Sequence, residues 1–203
     1  MLRASIISIL EEIGLTIFLI CFGIELIRFM YLIAKKKKII FYKEILFLGF
    51  VIYIVCLFYV VTFQDVNWST SNYVPFGEML RYTFGSKLFF KNVIGNMVMF
   101  LPYGFFISYF FKIKKVWIMF LLTLLTSLSI ETTQSMIGRV FDIDDIILNL
   151  LGGIMGHYLY RFLDNIKSHL PVFLKKRIIY NIIMLGILVG IILYLLNIIN
   201  IGV

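Results

Sequence analysis

The chain has 203 residues, 62% of them hydrophobic and only 15% charged, with a mean hydropathy of +1.01. Several apolar runs are about 20 residues long, enough to cross a bilayer as a helix, which excludes a soluble globular domain. The net charge of +8 would suggest nucleic acid in a soluble protein, but the loops of membrane proteins collect Lys and Arg on their cytoplasmic side, so no nucleic-acid partner is implied.

The expected fold class is therefore all-α: a polytopic membrane protein of six transmembrane helices. Cys21 and Cys56 lie inside apolar runs and read as small buried apolar residues. With no CxxC pair and no Cys/His cluster, neither a structural zinc nor a disulfide framework is expected.

The first span covers residues 13–34, with residues 1–12 at the outer interface. Only Arg3 precedes it, no cleavage site is apparent and four lysines follow, so it reads as a retained helix rather than a signal peptide. Glu25 and Arg28 share a helix face and are expected to pair. Lys35 to Lys38 and Lys43 form a basic loop. The second span covers residues 45–63. The connector over residues 64–91 contains Trp68 and Tyr73, residue types that favour the membrane–water interface, and Pro75 and Phe76. A short surface helix is expected over residues 76–84. Asn67-Trp68-Ser69 fits a glycosylation pattern, which is given no weight in a chain of bacterial-looking composition.

The third span, residues 93–111, opens with Asn92 and Asn96 four residues apart on one face, and Pro102 is expected to kink it. In the fourth span, residues 116–136, Thr123, Ser127 and Glu131 repeat every four residues and Gln134 and Ser135 continue the stripe. Such a polar seam faces the interior of a bundle rather than lipid. The fifth span, residues 146–162, aligns Asp145, Asn149, Gly152 and Gly156 on one face, with Asp142 one turn earlier. Gly152 and Gly156 are expected helix-packing positions, because small residues let a second helix approach closely. A basic connector over residues 161–177 leads to the last span, residues 178–199, where Gly186 and Gly190 suggest another packing face.

The basic residues fix the expected orientation. Arg28, Lys35 to Lys38, Lys43, Lys112, Lys114, Lys115, Arg161, Lys167, Lys175, Lys176 and Arg177 fall on one side. Only Arg3, Arg81, Lys87, Lys91 and Arg139 fall on the other. The positive-inside bias then places both termini outside the cell.

In that orientation Asn92, Asn96, Glu131, Gln134, Arg139, Asp142, Asp145 and Asn149 reach one level near the outer face. Glu131 lies five residues before the end of its span, roughly 7 Å below the edge. Asp142 and Asp145 stand at a helix N-terminus, where a carboxylate caps free N–H groups and the dipole favours negative charge. Capping alone, with Arg139 as ion partner, accounts for much of Asp142; it does not account for three helices bringing buried polar groups to one depth, where each needs a partner. These residues are expected to line an outward-facing polar pocket.

The chemistry of that pocket stays open. Glu131, Asp142 and Asp145 are candidate catalytic acid–base groups. With Asn carbonyls they are also candidate ligands of a hard divalent cation, but no EF-hand spacing is present and neither a metal nor another cofactor is assigned. Arg139, with Arg81 or Lys91, suits the phosphate or carboxylate of a lipid headgroup. His157 and His169 fall on the inner side, which argues against a His-dependent phosphatase, and His157 reads as a packing residue.

Four groups of residues form a recognisable series: Asn72-Tyr-Val-Pro75-Phe76; Asn92-Val-Ile-Gly95-Asn96 with Phe100-Leu-Pro102-Tyr-Gly104; Ser129-Ile-Glu131-Thr-Thr-Gln134; and Gly138-Arg139-Val-Phe-Asp142-Ile-Asp144-Asp145 with Asn149, Gly152 and Gly156. In order and spacing the series resembles the VanZ-like family, over about residues 45–163. The resemblance implies a VanZ-like membrane domain of four spans at 45–163, preceded by a span and basic loop at 1–44 and followed by a basic loop and span at 164–203. It also implies a multi-pass protein of the Gram-positive cytoplasmic membrane with a role in resistance to glycopeptide and lipoglycopeptide antibiotics of the teicoplanin type. Membrane lipids, a lipid-linked cell-wall precursor or the lipoglycopeptide are the partners this suggests. The family carries no settled reaction. The expected function is binding of such a ligand; a membrane enzyme acting on a lipid-linked envelope substrate through Glu131 and Asp142 is the alternative, and a small transporter the third reading. The sequence sets no oligomeric state.

Overall fold

The computed structural model describes residues 2–63, 71–77 and 79–200, and side chains over residues 14–60, 71–77 and 79–196. Trp68, the Asn67-Trp68-Ser69 pattern and the side chain of Arg3 lie outside the described residues. Six long apolar helices follow one another: α1 (Leu2–Ala34), α2 (Phe41–Phe63), α3 (Lys87–Phe111), α4 (Val116–Met136), α5 (Ile143–His169) and α6 (Arg177–Asn200). No β-strand forms among the described residues. Each helix is long and apolar enough to span a membrane, and an α-helix satisfies its own backbone polar groups where lipid offers no partner. The protein is an all-α, polytopic chain.

Local chemistry sets several boundaries. Past the end of α1 Lys36 is left-handed (φ 51), and Lys37 N–H donates to Leu32 O at 2.9 Å. Lys112 ends α3 in the same way, with φ 52 and its N–H on Ser108 O. α3 starts earlier than the apolar run suggests. Ser86 caps it by accepting from Phe89 N–H at 3.1 Å, and a π-helical segment at Phe90–Ile94 joins Lys87–Phe89 to Gly95–Phe111. Pro102 lies inside the last part, and the helix continues through it to Phe111.

Among the described residues, the helix expected over residues 76–84 does not form as one element. A turn closes at Gly77 N–H to Val74 O (3.1 Å), and a 3-10 helix of three residues follows at Met79–Arg81. Pro75 and the left-handed Phe76 (φ 66) occupy the two central positions of the turn, a conformation that blocks helix initiation there.

The chain divides into two compact units, Met1–Val55 with Leu170–Val203, and Cys56–His169. In the first unit Arg28 of α1 forms its ion pair with Glu44 of α2 rather than with Glu25, and its guanidinium stacks 4.0 Å from the Phe47 ring centroid. The i, i+3 spacing left Glu25 as the expected partner, but α2 brings a second carboxylate and an aromatic face to the same guanidinium. Around Gly186 and Gly190 an added Cβ would meet nothing within 4 Å, so α6 makes no close helix contact at its expected packing face among the described residues.

In the second unit α5 is the axis, packed along α3 and α4. The α3–α5 crossing brings backbone to backbone. A Cβ on Gly104 would overlap the Gly153 carbonyl, one on Gly152 the Met97 carbonyl, and one on Gly156 the Leu101 carbonyl. Gly153 also faces Thr123 of α4. Phe100 and Met119 are fully buried beside this crossing, as are Ser108, Thr123 and Ser127. Buried polar side chains among the described residues all belong to α3, α4 and α5.

This contact gives a direct test. Gly104→Ala forces a methyl group into backbone and should lower the melting temperature of the detergent-solubilised protein sharply, by about 1–3 kcal/mol of stability or more. Gly186→Ala in the same assay should leave it unchanged or slightly raised, since alanine favours helix by roughly 1 kcal/mol over glycine.

Candidate functional site

α4 carries Thr123, Ser127 and Glu131 on one stripe, and α5 covers that stripe, leaving Glu131 only 2% exposed. The chain then reverses within a few residues. Ile137 N–H and Arg139 N–H both bond to Gln134 O, at 3.2 and 2.9 Å, and Gly138 takes φ 84, a conformation that glycine adopts without strain. Gln134 is buried at this reversal and Arg139 is half-buried.

Asp142 opens α5 as its cap. Its Oδ1 accepts from Asp144 N–H at 2.9 Å and from Asn72 Nδ2 at 2.8 Å. Its own backbone N–H donates to Glu131 Oε2 at 3.0 Å, which ties the end of α4 to the start of α5. Asp145, one turn along, accepts from Asn96 Nδ2 and so joins α5 to α3. Arg139 interacts electrostatically with both Glu131 and Asp145, and Asp142 and Asp145 act on Glu131 in turn. A further turn into α5, Asn149 Nδ2 donates to Ser127 Oγ at 2.9 Å. Asn149 is 4% exposed and its Oδ1 is a buried acceptor without a hydrogen-bond partner.

The connector before α3 docks on the same cluster. Asn72 pairs with the chain at Asp142 through Asn72 N–H to Phe141 O (2.9 Å) and Ile143 N–H to Asn72 O (3.1 Å). Tyr73 stacks on Phe141 with ring centroids 5.6 Å apart. Asp144, 1% exposed, accepts from Phe76 N–H with one carboxylate oxygen and from Met79 N–H at 3.0 Å with the other. These two bonds hold the strained, left-handed Phe76 in place.

The structure thus brings Asn96, Glu131, Arg139, Asp142 and Asp145 together, with Asn149 one turn below and Gln134 at the reversal. Asn92 is half-buried in the π segment and stands outside the hydrogen bonds that link the others. Asp142 takes the capping role expected at this helix start, and its carboxylate accepts from Asn72 Nδ2 as well as from Asp144 N–H. Two members of the network, Asn72 and Asp144, lay outside the expected set. Both sit within the sequence motifs, but only the pairing of the connector with residues 141–143 reveals their use. Among the described residues no group of three His, Cys, Asp or Glu side chains has the arrangement of a metal site. Chemically, the cluster offers several carboxylates and one guanidinium at the end of a helix bundle, the donor and acceptor types that recognise polar headgroups. At the opposite end of the same three helices His157, 2% exposed, bonds through Nδ1 to Ser108 Oγ at 2.8 Å, in keeping with a packed histidine.

Asp144→Ala removes the acceptor of two backbone N–H groups and should release the connector. Amide exchange at Phe76 and Met79 should accelerate roughly 10- to 100-fold, in line with about 1.5–3 kcal/mol for hydrogen bonds to charged groups. Exchange in the middle of α4 should not change.

Residues 45–164 match the family model described as VanZ/LLP1. No curated protein and no solved structure matches the chain.

Proposed function

The chain belongs to the VanZ/LLP1 family, and on that premise we propose that it acts in the bacterial cytoplasmic membrane as a binding protein for a polar envelope ligand, contributing to resistance to glycopeptides of the teicoplanin type. The ligand is an envelope lipid, a lipid-linked cell-wall precursor or the lipoglycopeptide itself. One observation carries this reading. Glu131, Arg139, Asp142 and Asp145 gather with Asn96 at one end of α3, α4 and α5, in a chain that is otherwise built from apolar helices. Ionisable groups at membrane depth are costly, and a chain that keeps several of them together has a use for them.

Each group has a role in this reading. Arg139 meets a phosphate or carboxylate with its planar fork. Asp145, half-buried, accepts hydrogen bonds from hydroxyl, amide or amine donors of a glycan or peptide, while the buried Glu131 holds the start of α5 in place beside it. Asp142 and Asp144 are positioning residues that fix the start of α5 and the connector around them. Asn149 Oδ1 is a spare acceptor beneath Asp145. The positive-inside bias puts this end of the bundle on the outer face, where such ligands are met.

The test compares teicoplanin and vancomycin susceptibility in cells carrying an empty vector, the wild type, Glu131→Gln, Asp145→Asn or Arg139→Gln. The wild type should raise the inhibitory concentration of teicoplanin by several dilution steps. Each variant, at equal abundance in the membrane, should return it toward the vector. A wild type indistinguishable from the vector would remove the resistance reading. Resistance that survives all three substitutions would remove the cluster from it.

A further inference from the structure

The first unit has a polar region of its own, where α2 and α6 begin. The left-handed Lys36 closes the end of α1, where Lys35, Lys36 and Lys37 each donate a backbone N–H to its last residues; Lys38 follows, and all four lysines are exposed. Lys37 Nζ bonds to Tyr31 OH at 3.3 Å and lies 5.1 Å from the centre of that ring. At the start of α2 the N–H of Tyr42 is one of the donors that a helix terminus leaves unsatisfied. Asn181 of α6 accepts it through Oδ1 at 3.2 Å, and the Tyr42 and Tyr180 rings pack with centroids 5.4 Å apart.

This link has an electrostatic consequence. It sets the first turn of α2 beside the first turn of α6, and so brings the basic segment Lys35–Lys43 to the same end of the unit as Lys175, Lys176 and Arg177. Two helix N-termini add their partial positive charge to the same region. The carboxylate in the first turn of α2, Glu44, is already engaged by Arg28. Apolar side chains stand among the cations: Ile39 and Phe41 are 50% and 40% exposed, and Val172 and Phe173 are 79% and 58% exposed. Cations alone would suit any anion. Cations interleaved with exposed apolar groups, next to spans of bilayer length, suit an anion attached to acyl chains.

We propose that this end of the first unit is a binding site for an anionic phospholipid, with Lys36, Lys38, Lys176 and Arg177 holding the phosphodiester headgroup and Phe41 and Phe173 resting against the chains. The two basic segments fix topology by their charge wherever they lie on that side of the membrane. Binding of one headgroup requires them to converge, and the Tyr42–Asn181 link supplies the convergence.

The experiment uses the full chain in nanodiscs of mixed phosphatidylglycerol and phosphatidylcholine, and reads the lipids that stay bound on release into native mass spectrometry. The wild type should retain phosphatidylglycerol over phosphatidylcholine. Lys36→Gln with Lys38→Gln, and separately Lys176→Gln with Arg177→Gln, should each weaken that preference by about fivefold per charge removed. Asn181→Leu keeps every charge and should weaken it as well. Lys87→Gln with Lys91→Gln removes two exposed charges from the second unit and should have no effect. Equal retention of both lipids by the wild type overturns the proposal. So does an equal loss in the Lys87/Lys91 variant, or full retention in a folded Asn181→Leu protein, since either would mean that charge alone attracts the lipid. The lysine variants alter only exposed side chains, so they decide the matter even if Asn181→Leu does not fold.

Discussion

The close crossing of α3 and α5 is the constraint on which the second unit depends. Gly104, Gly152 and Gly156 stand where a side chain would strike the backbone of the opposite helix, so the two helices meet backbone to backbone. In a membrane, helices gain little from the hydrophobic effect when they associate, and close van der Waals contact takes its place. That contact sets the height of one helix against the other. Asn96 therefore arrives at Asp145, and Ser108 at His157. Gly153 admits Thr123 in the same way and fixes α4 on the other side of α5.

With the helices set, the acid cluster becomes a structural device. Each carboxylate joins two elements: Glu131 joins α4 to the cap of α5, Asp145 joins α5 to α3, and Asp142 and Asp144 hold the connector that carries Asn72, Phe76 and Met79. A buried carboxylate without such partners would be very costly, and each bond here comes from a backbone N–H or an asparagine amide. The same bonds fix the orientation of each carboxyl group, because a group held by two elements keeps its rotamer. A separation of parts follows. Asp142 and Asp144 mainly hold the frame, while Glu131, Asp145 and Arg139 are the charges gathered within it.

The first unit is built differently. Its helices expose most of their apolar side chains, with Cys21, Leu32 and Val51 as its buried apolar residues among those described. Its specific polar contacts cluster toward the basic turn, in the Arg28–Glu44 pair and the Tyr42–Asn181 bond. Such contacts are strong where water is scarce, and they determine which helix ends meet even when the apolar faces are interchangeable.

Much of this protein was legible in its amino-acid order, because hydrophobic run length and polar spacing are local properties. Six apolar runs gave six helices, and the four-residue spacing of Thr123, Ser127 and Glu131 gave the buried stripe of α4. The motif series gave the family. What the order of residues could not supply was the partner of each polar group. Arg28 has a carboxylate three residues away on its own helix yet bonds to Glu44. The cap supplied by Asp142 was legible at the helix start, but its bond from Asn72 and the bonds to Asp144 exist only because the connector folds onto residues 141–143. The same limit applies to small residues: Gly152 and Gly156 share their spacing with Gly186 and Gly190, but among the described residues only the first pair meets another backbone. Spacing along a helix determines which side chains share a face; which element covers that face is decided by long-range packing, and only the tertiary structure contains it.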